Sequence, residues 1–286
     1  MPSARKLAVE VLRDWSRGQA YAAALVDEAA ATAGLTPRDA ALLQTLVYGV
    51  LRNLSLLDHW SAHLSHDREL DPASRWLLRL GLAQLLVLDM PPHAAVNETV
   101  NLATRARGFI NAILRRAERE KSELQAEVPT LPPHIRFSHP GWLTERLESA
   151  VGSENLISLL EWNQKPAPTY VRLNRLHPEA AASVPDLQGL EPSGEDFFRC
   201  TQPPREALAA GLCYAQDPST ALAPGLLGPQ PGMRVLDACA APGGKTALLA
   251  QFMENSGVIV ATDSSPARLR RLSSNLSRMK VGNAQA

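Results

Sequence analysis

The stretch VLDACAAPGGKTALLAQ, from Val235 to Gln251, begins as a buried strand and ends as a helix. An apolar run closes on Asp237, a loop with Pro242, Gly243 and Gly244 follows, and helical spacing takes over. Around it, MRVLDA reads as a strand, GGKTALLAQFME as a helix, GVIVATD as a second buried strand and SSPARLRRLSSNLSRMK as a second helix. This β-α-β-α order predicts the start of a parallel, helix-covered sheet over residues 231–286. In such sheets ligands sit beyond the carboxyl ends of the strands, which is where this loop falls. Glycines let the backbone approach a ligand, and the helix after them offers unpaired N–H groups and the positive end of its dipole. Asp263 ends the second strand 19 residues after Gly244, near the offset at which an acidic residue accepts hydrogen bonds from a ribose. Asp263 also stands where a helix cap is wanted, before Ser264 and Ser265, and both roles are open to it.

Two ligand classes compete for this loop. A nucleoside triphosphate needs G-x-x-x-x-G-K-[ST]; Gly244-Lys245-Thr246 match, but Cys239 occupies the first glycine position. S-adenosylmethionine needs no triphosphate cradle, only room beside the glycines and a carboxylate for its ribose.

The whole chain bounds the answer. At 286 residues it has the length of about two domains. Its 45% hydrophobic and 20% charged content describes a soluble globular protein, and its net charge of zero means that any basic face is local. The three cysteines, Cys200, Cys213 and Cys239, are odd in number and scattered, which argues against a disulfide framework and for a reducing, cytoplasmic setting. The N-terminus MPSARKLAVEVLRDW mixes charges into its apolar residues, unlike a signal peptide. No apolar run approaches the ~20 residues of a membrane span.

Residues 1–126 read as a compact helical bundle. Leu7, Val11, Leu12 and Trp15 form one stripe that ends at Gly18, a helix C-terminal signal. Thr36, Pro37 and Asp39 open another helix in the manner of a capping box, and Asp71-Pro72 opens a further one. The four prolines of EVPTLPPHIRFSHP, residues 127–140, predict an interdomain linker. Residues 141–230 look mixed: two helical segments, then a strand at PTYVRLNRL, with short strands and turns in PDLQGLEP, DFFRC and GLCYAQD.

Asp237-Ala238-Cys239-Ala240-Ala241-Pro242-Gly243-Gly244-Lys245-Thr246 resembles the first cofactor motif of the RNA cytosine-5 methyltransferases. Arg38-Asp39-Ala40 through Tyr48-Gly49-Val50-Leu51-Arg52, and Ala95-Val96-Asn97-Glu98 through Gly108-Phe109-Ile110-Asn111-Ala112-Ile113-Leu114-Arg115, are similar to the helical domain shared with the antitermination factor NusB. The order is that of the bacterial members acting on small-subunit ribosomal RNA. The resemblance implies a multidomain chain: an all-α NusB-like RNA-binding bundle, a small α+β RNA-binding subdomain, and the first β-α-β-α of a Rossmann-like α/β methyltransferase domain. It implies S-adenosyl-L-methionine as cofactor, held by Cys239, Ala240, Ala241, Pro242, Gly243, Gly244 and Lys245, with Asp263 on its ribose. It implies methylation of cytosine C5 in 16S ribosomal RNA by a cytoplasmic monomer without metal or membrane.

In that family a Cys thiolate in a Thr-Cys motif adds to cytosine carbon 6, and a Pro-Cys cysteine assists release. Neither pair occurs here, so no catalytic residue is assigned. With two strands of a seven-strand sheet and a basic closing helix (Arg268, Arg270, Arg271, Arg278, Lys280), the chain is expected to be a fragment, inactive alone, with an open sheet face. The rival is a non-catalytic, NusB-like RNA-binding protein.

Two further sets are candidate RNA contacts: the run Arg105, Arg107, Arg115, Arg116, Arg119 and Lys121, and the set Arg172, Asn174 and Arg175. Either could equally be a solvated face or strand edge. His59, His63 and His66 share helical spacing, but lack the Glu of H-E-x-x-H and a nearby Cys, and read as a polar face. The five tryptophans are too dispersed for a stacking platform and are assigned to cores.

Overall fold

The computed structural model describes residues 2–18, 20–184 and 187–286, which form two compact units, Met1–Lys165 and Pro166–Ala286. Pro185 and Asp186, the start of the expected PDLQGLEP turn, lie outside the described residues.

The first unit is helical: α1 (Ala4–Ser16), α2 (Ala22–Thr32), α3 (Pro37–Arg52), α4 (Leu54–Ser65), α5 (Pro72–Leu82), α6 (Pro92–Asn101), α7 (Arg107–Arg119), α8 (Lys121–Glu127), α9 (Pro133–Arg136), α10 (Gly141–Val151) and α11 (Ser153–Gln164). The helix ends follow local chemistry. Thr36 Oγ1 accepts from Asp39 N at 3.2 Å, Asp71 accepts from Ala73 N and Ser74 N, and Gly18 N donates to Trp15 O after α1, each using groups a helix terminus leaves unpaired. Leu12, Leu43, Leu46, Leu57, Trp60, Leu80 and Ile110 are fully buried in one core. Gln84 is buried among them and is satisfied: it donates to Leu80 O and Thr99 Oγ1 and accepts from Arg5 Nε at 2.7 Å.

The proline-rich segment is not the expected linker. Val128–Thr130 is a 3-10 turn and Pro133 opens α9. Val128, Leu131 and Ile135 pack on the bundle core, and Phe137 joins Leu156 and Leu160 of α11. Gln164 then donates to Phe137 O and Arg52 O. Proline at a helix's first turn loses no hydrogen bond and has φ preset for the helix, so these prolines start short helices.

The second unit has two sheets. β1 (Thr169–Leu173), β2 (Leu190–Pro192), β3 (Phe197–Cys200) and β4 (Cys213–Ala215) form an antiparallel sheet in the order β2-β3-β1-β4, with Val171 opposite Phe198 on one side and Ala215 on the other. The short helices α12 (Ala180–Ser183) and α13 (Arg205–Ala210) help cover Val171, Leu173, Cys200 and Cys213, giving the α+β segment expected. After α14 (Leu222–Leu227) come β5 (Arg234–Asp237), α15 (Gly244–Phe252), β6 (Val258–Ala261), α16 (Pro266–Arg278) and β7 (Ala284–Gln285).

β5, β6 and β7 form a parallel sheet in that order, so it has three strands where two were expected. Accordingly α16 does not lack strands to pack on. Its Leu272 and Leu276 are buried against Ala240 and Ala261, with Ala284 of β7 beside them. Side chains alternate across the strands: Ile259 and Ala261 are buried, whereas Leu236 and Val260 on the opposite face are 66% and 42% exposed.

Candidate cofactor site

The turn after β5 is held by pairing that continues past the strand ends. Thr262 N donates to Asp237 O, Ala240 N donates to Thr262 O, and Gly243 N donates to Ala240 O at 2.7 Å. Thr246 Oγ1 donates to Asp237 Oδ2 at 2.7 Å, closing the loop across its base. From α16, Asn275 Nδ2 donates to Pro242 O at 2.7 Å. Gly243 has φ of 107°, a conformation that side chains disfavour, and a Cβ there would lie 2.9 Å from Leu272 Cδ1. At Gly244 a Cβ would lie 2.9 Å from Tyr214 Cε1. The two glycines therefore let the turn press against α16 on one side and β4 on the other.

α15 has Gly243 at its N-cap and so no side-chain cap. Its first N–H groups thus remain available, beside the positive end of the dipole. Next to them is a cavity of about 250 Å³. One wall is Cys239, Ala240, Ala241, Pro242, Gly244 and Lys245; the other is Tyr214, Ala215, Gln216, Asp217 and Thr220. Six of the eight residues expected at the cofactor thus line one cavity. Gly243 shapes the turn from behind. Asp263 is not in the cavity wall: it lies just past β6, half-buried, and its Oδ1 accepts from Ser265 N at 3.0 Å. The cap of α16 itself is Ser265, which accepts from Arg268 N.

The second wall was not foreseen. Its carboxylate is Asp217, whose pKa is held below the ordinary value by hydrogen bonds from Ser219, so it stays ionised. Tyr214 has its pKa raised by burial, with Arg278 opposing the shift from 5.8 Å off its ring centre. The local sign in the sequence is Asp217-Pro218, which opens a 3-10 turn (Pro218–Ala221).

Cys200 and Cys213 are buried. Burial raises both thiol pKa values, that of Cys213 to about 11, and Cys200 Sγ donates to Thr169 O. A thiolate nucleophile needs the opposite environment. Cys239 is exposed, on the cavity wall.

Arg172 and Asn174 are neither RNA contacts nor a watery strand edge. Both are buried, at 0% and 1% exposure: Arg172 lies on β1, an inner strand between β3 and β4, and Asn174, just past it, donates to Gly211 O and Met279 O. Arg175 is exposed and held by Glu195 and Asp196. Much of the basic run is also paired within the first unit: Arg107 with Asn101, Arg115 with Glu118, Arg116 with Glu120 and Lys121 with Asp89. Arg105 and Arg119 remain exposed. Among the described residues no His, Cys, Asp or Glu cluster suits a metal, and no single helix is long and apolar enough to cross a membrane. His66 adopts a left-handed conformation that caps α4.

Residues 2–119 match the NusB family. Residues 139–193 match the RsmF/B-like ferredoxin-like domain, and residues 224–286 match the 16S rRNA methyltransferase RsmB/F family. The chain is 37% identical over 263 residues to Ribosomal RNA small subunit methyltransferase B of Escherichia coli O157:H7, covering 86% of this chain and 60% of that protein. It is 36% identical over 271 residues to the protein of the same name from Vibrio cholerae serotype O1, covering 88% and 61%. The chain therefore spans about 60% of the length of these curated relatives. The solved structure titled "Crystal Structure of PH0851" shares the fold, with a TM-score of 0.70 at 20% identity over 100% of this chain and 69% of that one.

Proposed function

We propose, taking as premise that the chain belongs to the RsmB/F family of 16S ribosomal RNA methyltransferases, that the cavity beside Gly244 binds S-adenosyl-L-methionine for methylation of cytosine C5 in small-subunit ribosomal RNA. The observation that carries this reading is the uncapped start of α15 facing a cavity with a carboxylate, Asp217, on its far wall. That donor set suits a zwitterionic ligand: main-chain N–H groups and Lys245 for oxygens, Asp217 for an ammonium or hydroxyl group. When bound, the cofactor supplies an electrophilic methyl group.

In this reading Cys239, Ala240, Ala241, Pro242, Gly244 and Lys245 hold the cofactor directly, Gly243 sets the turn, and Asp263, outside the cavity wall, is the ribose ligand that the family resemblance implies. Residues 231–286 and the Tyr214–Thr220 wall serve the cofactor, while residues 1–126 and the rest of 141–230 engage ribosomal RNA. The protein works as a cytoplasmic monomer. No Thr-Cys or Pro-Cys pair occurs in the 286 residues, and Cys200 and Cys213 are buried as neutral thiols. These residues are accordingly expected to bind cofactor without turnover.

Calorimetric titration tests the reading. S-adenosylhomocysteine is expected to bind and ATP to give no heat. Binding of ATP alone, or of neither, overturns the cofactor assignment; transfer of labelled methyl to 16S RNA by this chain overturns the expectation of no turnover.

A further inference from the structure

Arg172 is fully buried on β1, yet among the described residues no carboxylate takes its guanidinium. Nε donates to Gln216 Oε1 at 2.8 Å, and Nη1 donates to Gln251 Oε1 at 2.6 Å and to Leu173 O at 3.4 Å. Nη2 has no partner. Burying a guanidinium in this way is costly, and an apolar side chain would fill a strand interior at less expense. What the guanidinium does in this position is orient the groups around it.

A guanidinium can only donate. Both glutamines must turn their oxygens toward it, so the orientation of each amide follows from chemistry. For Gln216 the NH2 group then faces away from Arg172. One N–H is used by Thr220 Oγ1 at 2.8 Å, whose own hydroxyl donates to Asp217 O. Gln216 and Thr220 both line the cavity opposite Gly244. The second N–H of Gln216 is left for that wall. Gln251 behaves alike: its oxygen takes Arg172, and its NH2 donates to Asp196 Oδ2 at 2.8 Å. One buried cation on the antiparallel sheet thereby fixes one amide at the cavity and another on α15.

We propose that Arg172 is a positioning residue that locks the Gln216 amide with its N–H outward, so that the wall facing the glycine turn offers a donor to a carboxylate or hydroxyl oxygen of the cofactor. Freed from Arg172, that amide can rotate by half a turn and present an oxygen instead. The inference rests on the cofactor reading above.

The test uses the 286-residue chain, with S-adenosylhomocysteine as probe in calorimetry and thermal unfolding as control. Gln216→Glu keeps an oxygen on Arg172 and adds an ion pair, but removes the N–H. At least tenfold weaker binding with undiminished thermal stability is expected. Arg172→Met is expected to weaken binding comparably, and is read only if its circular dichroism matches wild type; otherwise Gln216→Glu alone decides. No binding by the wild-type chain overturns the cofactor reading and this inference with it. Wild-type binding that Gln216→Glu leaves within twofold overturns this inference alone.

Discussion

Asn174 and Met279 are separated by 105 residues in sequence, and a hydrogen bond joins them: Asn174 Nδ2 donates to Met279 O at 3.0 Å. The same amide donates to Gly211 O at 2.8 Å, and Asn174 is 1% exposed. One side chain just after β1 thus satisfies the carbonyl closing α16 and the one closing α13. Replacing Asn174 with Ala leaves two carbonyls unpaired, each worth about 1–3 kcal/mol when buried. Urea denaturation is expected to show a loss within or above that range, and a loss below about 0.5 kcal/mol, the usual size of a surface change, would sink the assignment.

The cysteines differ in accessibility. In the folded chain one thiol, Cys239, is expected to react quickly with an aromatic disulfide reagent at about pH 8, and all three in urea. Because burial raises the Cys213 pKa from 9.0 to about 11, the fold favours its neutral thiol. That contribution is fully present below pH 9.0 and is lost as pH rises toward 11. Rapid labelling of Cys213 in the folded protein would contradict this.

Asp71 links a helix start to acid stability. The hydroxyl of Ser74 and the N–H groups of Ser74 and Ala73 lower its pKa from 3.8. A depressed carboxylate stabilises the fold above its unfolded pKa, and the effect is lost as pH falls through the lower native value. Asp71→Ala is expected to cost about 0.5–2 kcal/mol near neutrality. The gap between the two chains should close below pH 3.8; a gap unchanged down to pH 2 would refute the capping role.

Hydrogen exchange should separate the two units. The β5–β6 pair has one open face, at Leu236 and Val260, while α3 and α5 are packed in a single large core. Amides of β5 and β6 are expected to exchange faster than those of α3 and α5. Equal protection would show that the small sheet is as stable as the bundle.

Much of the fold is legible because its signals are local. Thr36, Asp71 and Gly18 mark helix ends with their own side chains or backbone, and the apolar runs at Val235 and Ile259 are bounded by turn residues. The proline-rich segment misleads because proline forbids a helix interior yet favours a helix start, and residue type alone does not say which applies at Pro133. β7 is two residues long, too short for any alternation to register. Whether Arg172 lies on an inner or an edge strand is a property of sheet order, which no single strand encodes. For the same reason the glycine wall of the cavity can be read from 239–245, but the Tyr214–Thr220 wall cannot: the two meet only once both sheets have formed.

The clamp from Asn275 to Pro242 gives the pocket a direction in time. A ribosome releasing this chain delivers Gly243 and Gly244 well before it delivers the amide that holds their turn, which lies 33 residues after Pro242. The nascent chain is expected to carry the glycine motif unclamped until α16 has emerged and folded back, so the turn is completed by a segment made after it.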